Sequence, residues 1–214
     1  MKIVIGYLYY DLLNLNGENG NVKILANQLK KQDIDVEIRL ITTNKIIKQE
    51  EIDMFYMGGG TKQSLQVALQ HMLKNKAELK KAIENHKFFL VTGNALDLFG
   101  KAGLNFFEFV TIKKPIYQKG VSFSPSILAR PIVGFLNQET SIIKSSHPIF
   151  TNSEEGVHYN NFYGIKLFGP LLANNYLFLE YFIKQLVLYK DSFASFKAID
   201  FKYEEKVYNN FKTK

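Results

Sequence analysis

Residues 88–101 read FFLVTGNALDLFGK. The first five carry no charged side chain, which marks a strand buried on both faces of a parallel sheet. Gly93-Asn94 then breaks the run, and a helix is expected to begin behind it. A strand that turns sharply into a helix is the corner on which many α/β enzymes present a nucleophile. Here the whole chain has no cysteine, and Thr92-Gly93-Asn94 offers nothing obviously reactive.

The surroundings of this corner repeat one pattern. Residues 2–8 form a short apolar run suited to a buried strand, and residues 18–32 carry a helical stripe at Val22, Leu25, Ala26 and Leu29. Residues 35–41 alternate as a strand, and residues 52–57 form another apolar run that ends in Gly58-Gly59-Gly60. One helix is expected over 65–85 from Leu65, Ala68, Leu69, Met72, Leu79, Ala82 and Ile83. Strands and helices that alternate through short connections predict a parallel sheet covered on both faces. The second half reads as more β-rich, with strands expected at 106–112, 120–123, 131–134 and 163–168 and a closing helix at 175–189. The tail, 201–214, fits a short amphipathic helix or a frayed end.

Composition sets the outer limits. A chain of 214 residues, 46% hydrophobic and 22% charged, is that of one globular domain. No run approaches the roughly 20 apolar residues that span a bilayer, and the absence of cysteine fits a cytoplasmic location. The net charge of +7 sits mainly on Lys74, Lys76, Lys80, Lys81 and Lys87. A solvated helix face accounts for that cluster, and an anionic ligand or partner is the alternative. Nucleic-acid binding rests on charge alone and is not expected. His71, His86, His147 and His158 are scattered without metal-ligand spacing, so no metal is expected.

Four stretches carry chemistry. LNLNGENGNV (13–22) is a polar turn before a helix, able to present N–H groups to an anion or simply to connect strand and helix. It matches neither common nucleotide fingerprint. DMFYMGGGT (53–61) puts three glycines at a strand's carboxyl end, where they bring backbone close to a ligand or close a tight turn. The third is the opening corner. The fourth, GIKLFGPLL (164–172), is a strand running into Gly169-Pro170 and a helix.

In this order and spacing, over roughly residues 1–190, the four resemble a class I glutamine amidotransferase domain of the cobyric-acid-synthase type. The resemblance is nearest to the glutaminase subunit of lipid II isoglutaminyl synthase, which works with a Mur-ligase-like subunit. Residues 13–21 are similar to that family's LN-x-Y-x-D-x-GN turn and Gly58-Gly59-Gly60 to its GGG, whose backbone helps form an oxyanion hole. PIVGFLN (131–137) resembles its stretch ending in GFEN, and residues 155–172 resemble its EG-x-HY-x-N…G-x-YLHGP-x-L segment. The resemblance implies a flavodoxin-like three-layer α/β/α fold with a mostly parallel sheet, with residues 1–190 as the amidotransferase-like domain and 191–214 as its C-terminal extension. It implies no cofactor.

The departures are chemical. The family elbow is C-G-G-Y-Q-x-L-G, whose cysteine attacks the glutamine amide; here Thr92 or Gly93 stands in its place. The family's base is the histidine of LHGP; here that residue is Phe168. Amide hydrolysis by this route needs both the thiolate and the base, so no catalytic residue and no glutaminase activity are expected. Gly58, Gly59, Gly60 and Asn94 are then a vestigial oxyanion or ligand edge. Two functions follow. One is a non-catalytic binding subunit for a Mur-ligase-like synthetase or a small amide or amino-acid ligand. The other is an enzyme acting on another substrate through the altered elbow, with Thr92, Asn94 or Asp97.

Overall fold

A computed structural model describes residues 1–212, so the last two residues of the expected tail and C-terminal extension lie outside the described residues. In chain order the first half contains β1 (Lys2–Leu8), α1 (Asn19–Lys31), β2 (Asp35–Ile41), β3 (Met54–Met57), α2 (Lys62–Lys74), α3 (Lys76–Glu84) and β4 (Phe88–Thr92). The second half adds β5 (Val110–Phe123), β6 (Ile132–Ile143), β7 (Gly156–Tyr159), β8 (Phe162–Ile165), α4 (Leu171–Asn174), α5 (Tyr176–Lys190) and α6 (Lys202–Lys212). Six strands form the central sheet in the order β2-β1-β3-β4-β8-β7. All neighbours pair in parallel except β7, which runs antiparallel to β8 at the edge.

This is the doubly wound, flavodoxin-like arrangement, and the period-2 pattern of the strands explains its layers. Met54 and Tyr56 of β3 and Phe88 and Leu90 of β4 enter one core with Val22, Leu25, Phe182 and Leu186 from α1 and α5. Their neighbours Phe55, Met57, Phe89 and Val91 enter the other, with Ala68, Met72, Leu79 and Ala82 from α2 and α3. A strand that contributes alternate side chains to two cores has no solvated face, hence its unbroken apolar sequence.

Several expectations shift. The single helix expected over 65–85 is two, divided at Asn75. The Asn75 side chain donates to the His71 carbonyl, beside the bond from its own amide, and accepts from the Ile47 amide, so that it holds the junction between the two helices. The strands expected at 106–112 and 120–123 are instead one strand beginning at Val110. Pro115 sits inside it because, among the described residues, β5 pairs only with β6, where irregular register around Ile116 absorbs the proline. The strand expected over 131–134 extends to Ile143, and the antiparallel β7 comes from residues that carry no clear alternation. The tail forms a helix, α6, whose buried Tyr208 donates its hydroxyl to the Pro131 carbonyl. Lys74, Lys76, Lys80 and Lys81 are exposed, the solvated helix face.

The order of strands reverses between β1 and β3. In such sheets, ligands bind outside the carboxyl ends of the strands at that reversal. The Gly-rich turn after β1, the GGG turn after β3, the corner after β4 and the Phe168–Pro170 segment after β8 all emerge there.

Candidate functional site

The corner is built by β4 delivering Thr92 and Gly93 to the sheet's edge. Thr92 remains in the strand, at φ −117° and ψ 153°. Gly93 is the tip of the turn, at φ +65°, a backbone conformation that a side chain strains. A short 3-10 segment, Gly93–Phe99, replaces the helix expected behind it.

Phe168 closes the corner. A methyl carbon built on Gly93 would lie 2.8 Å from the Phe168 Cε1 atom, and one built on Gly59 would lie 2.8 Å from the same atom. The two glycines therefore share one edge, both against a single aromatic ring that is only 6% exposed. Their lack of side chains is what admits the ring. Gly93 also donates its amide to the Leu167 carbonyl, which ties the corner to the segment bearing the phenylalanine.

Asn94 holds the neighbouring turn from both ends. Its Oδ1 accepts from the Gly60 amide at 3.1 Å, and its Nδ2 donates to the Gly60 carbonyl at 2.8 Å. The Leu15 amide donates to the Gly59 carbonyl, so the turn after β1 is stitched to the same glycines. Gly58, Gly59, Gly60 and Asn94 therefore meet as one unit, with Asn94 satisfied by backbone.

Thr92, a candidate nucleophile position, is fully buried and turned into the interior. Its Oγ1 donates to Glu18 Oε2 at 2.5 Å and lies 3.1 Å from the Tyr56 hydroxyl. Asp97 is occupied as well. The Lys166 ammonium, wholly buried, donates to Asp97 Oδ1 at 2.8 Å and to the Thr140 carbonyl at 2.7 Å. The Thr140 hydroxyl donates to Asp97 Oδ2 at 2.6 Å. A buried ammonium is tolerated only when its protons find acceptors in this way.

Beside the closed corner lies an open cavity of about 730 Å³, lined by Gly60, Thr61, Asn94, Asp97, Asn137 and Thr140 among others. A shallower depression of about 400 Å³ is bounded by Asn16, Phe135, Asn137, Phe168 and Gly169. Among the described residues no three His, Asp or Glu side chains gather as they would around a metal, and no helix is long and apolar enough to cross a membrane.

Two residues of the site escape a reading of the sequence. Glu18 sits in a polar, Gly-rich turn, where an acid reads as solvated, yet it is fully buried. Lys166 interrupts an apolar strand end, and that lone cation is the one signal from which a buried partner could have been read. Burial pushes the Glu18 carboxyl up to about 7, against the opposing effect of hydrogen bonds from Thr92, Gly169 and Tyr56.

No protein-family model matches the chain. It is 28% identical over 204 aligned positions to the lipid II isoglutaminyl synthase (glutamine-hydrolyzing) subunit GatD of Staphylococcus aureus (strain N315), covering 86% of this chain and 84% of that one. It is 22% identical over 198 positions to the subunit of the same name from Streptococcus pneumoniae (strain ATCC BAA-255 / R6), covering 81% and 76%. The fold is similar to that of a glutamine amidotransferase from Thermotoga maritima, with a TM-score of 0.56 and 8% identity over 99% of this chain and 90% of that chain. The chain is thus a homologue of GatD with the fold of a glutamine amidotransferase, as its four motifs indicate.

Proposed function

We propose that this GatD homologue is a non-hydrolysing subunit, a glutaminase scaffold that serves as the docking partner of a Mur-ligase-like synthetase. One observation carries the proposal: the Phe168 ring fills the space where a side chain on Gly93 would stand. Gly93, not Thr92, takes the nucleophile's place, because it is the residue with the strained turn conformation of a nucleophile elbow. Phe168 takes the place of the base. With neither group present, and with Asn94 bonded to Gly60, the corner has nothing to form or resolve an acyl intermediate.

The alternative enzyme, working through Thr92, Asn94 or Asp97, has less support. Thr92 is buried against Glu18, Asn94 is spent on backbone, and Asp97 is paired with Lys166. A small amide or amino-acid ligand in the cavity beside Asn94 and Asp97 remains compatible with the docking role.

An edge that makes no ammonia but keeps its shape suits an interface. Leu15, 60% exposed on the turn after β1, supplies apolar surface there. The test is co-purification and native mass spectrometry with the Mur-ligase-like subunit of the same organism. A complex is expected with the wild type and not with Leu15→Asp, while the variant's thermal unfolding stays unchanged. Failure to form a complex, or equal binding by Leu15→Asp, contradicts docking through this edge. Gly59→Arg is a poorer probe, because a side chain there collides with Phe168 and Asn94.

A further inference from the structure

Glu18 lies beneath all four motif segments at once. It precedes α1, its side chain meets Tyr56 of β3 and Thr92 of β4, and its Oε1 accepts from the Gly169 amide at 3.3 Å. A methyl carbon on Gly58 would lie 2.7 Å from its Cβ. No catalytic role uses it, and no nearby cation explains it. Among the described residues no Lys, Arg or His forms an ion pair with it.

The protons in this cluster can be counted. Four oxygen–oxygen contacts join Glu18 Oε2, Thr92 Oγ1, the Tyr56 hydroxyl and the Glu18 carbonyl, at 2.5, 3.1, 3.1 and 2.8 Å. An ionised Glu18 leaves only the Thr92 and Tyr56 hydroxyl protons to serve them. A third proton, on Oε2, reverses the Thr92–Glu18 bond described above for the ionised acid and closes a continuous chain: Glu18 donates to Thr92, Thr92 to Tyr56, and Tyr56 to the Glu18 carbonyl. Tyr56 then accepts a second bond from Asn21 Nδ2 at 2.9 Å, which uses its remaining lone pair. In this chain only one short contact, between Tyr56 and Oε2, carries no proton. With two protons, two contacts go without, one of them beside a buried negative charge.

We propose that Glu18 is held as a neutral acid whose proton fastens the sheet edge, so that raising the pH through neutrality loosens the Gly58, Thr92–Gly93 and Gly169 segments and weakens docking there. The docking half of this inference rests on the function proposed above. The titratable groups facing Glu18 are the phenols Tyr7 of β1 and Tyr56 of β3, both raised chiefly by burial and secondarily by the Glu18 charge. Thr92, Asn21 and the Gly169 amide face it without titrating. Near neutrality, Glu18 is therefore the group in this cluster that changes charge.

The first experiment follows the carboxyl carbons of the wild type by NMR as a function of pH, with Glu18→Gln identifying the signal. The expected midpoint is about 7; a midpoint in the ordinary carboxylate range overturns the proposal, and this reading of the wild type stands even if the variant fails to fold. The second compares amide-exchange protection of residues 56–60, 92–94 and 167–169, corrected for the intrinsic pH effect, at about pH 6 and about pH 8.5. Protection in the wild type is expected to fall by up to about tenfold while Glu18→Gln, whose amide still donates to Thr92, stays level. Equal behaviour of the two proteins refutes the fastening role. Binding of the synthetase over the same range separates the two layers. Loosening without weaker binding leaves the proton in place and removes its link to docking, whereas binding lost with Leu15→Asp but unaffected by pH spares the docking surface and removes the regulation.

Discussion

The 3-10 segment Gly93–Phe99 borders two regions of opposite character. At its first residue the corner is closed by an aromatic ring, and just behind it Asn94 and Asp97 line an open cavity of about 730 Å³. The closed region is held by apolar contact and the open one by a buried ion pair. The difference teaches how such a corner can be packed shut without collapse of its surroundings. In the non-hydrolysing reading proposed above, packing of Phe168 stands in for the nucleophile and base, while the wall next to them is kept in shape by Lys166, Asp97 and Thr140.

If the corner is a packed core and not a vacated site, removing its ring is costly. Phe168→Ala is expected to lower stability by about 3–4 kcal/mol, the usual cost of emptying a phenylalanine site in a core, measured by denaturant unfolding. A loss below about 1 kcal/mol would show that the ring covers the corner without filling it. On the polar side, Lys166→Met removes one partner of a buried pair and is expected to cost about 3 kcal/mol. The lower end of the usual range applies because Asp97 keeps a fifth of its side chain in solvent.

Gly93→Ala brings the corner's two constraints together. A positive φ and a 2.8 Å approach to Phe168 combine to an expected cost of about 2–3 kcal/mol. In a Phe168→Ala background the same change is expected to cost about 1 kcal/mol less, since only the backbone strain remains. Additive losses would mean that the ring does not press on Gly93.

The pH response is smaller, and its sign is fixed. The Glu18 carboxyl is raised in the folded state from 4.5 to about 7, so the folded protein binds more protons between those values. That contribution is complete below about 4.5 and is lost as pH rises through about 7. The wild type should lose roughly 4 °C in Tm between about pH 6 and about pH 8.5 relative to Glu18→Gln. The difference between the proteins is the readout, because His71 and His158, both lowered by burial, act in the opposite direction. A wild type and variant with parallel pH profiles would contradict this assignment. Least of all should Leu15→Asp change stability, by no more than about 0.5 kcal/mol, since Leu15 is mostly exposed.

The same contrast separates what the sequence makes legible from what it hides. Local pattern locates β1, β3 and β4, because a strand buried on both faces needs an unbroken run such as Phe88–Thr92. It also locates the glycine turns, because their backbone has few substitutes. Pattern misplaces β5, where Pro115 and three lysines read as a break but sit on a strand with a free edge. At the site, Gly58–Gly60 are visible as a match to a familiar motif, and Thr92 or Gly93, Asn94 and Phe168 as departures from it. Burial of Glu18 and the partners of Lys166 and Thr92 are not, since they depend on residues such as Thr92 and Asp97, 74 and 69 positions from Glu18 and Lys166, that only the folded sheet brings near.

Glutamate release from glutamine, measured on this chain in complex with the Mur-ligase-like subunit proposed as its partner, tests the proposed silence of the corner most directly, because a partner is the condition under which residual chemistry would appear. The expected rate equals that without protein. Release above that rate, abolished by Asp97→Asn or Thr92→Ala in a complex that still forms, would show that the corner or its neighbouring wall remains catalytic and that the Phe168 ring is not a replacement for the lost chemistry.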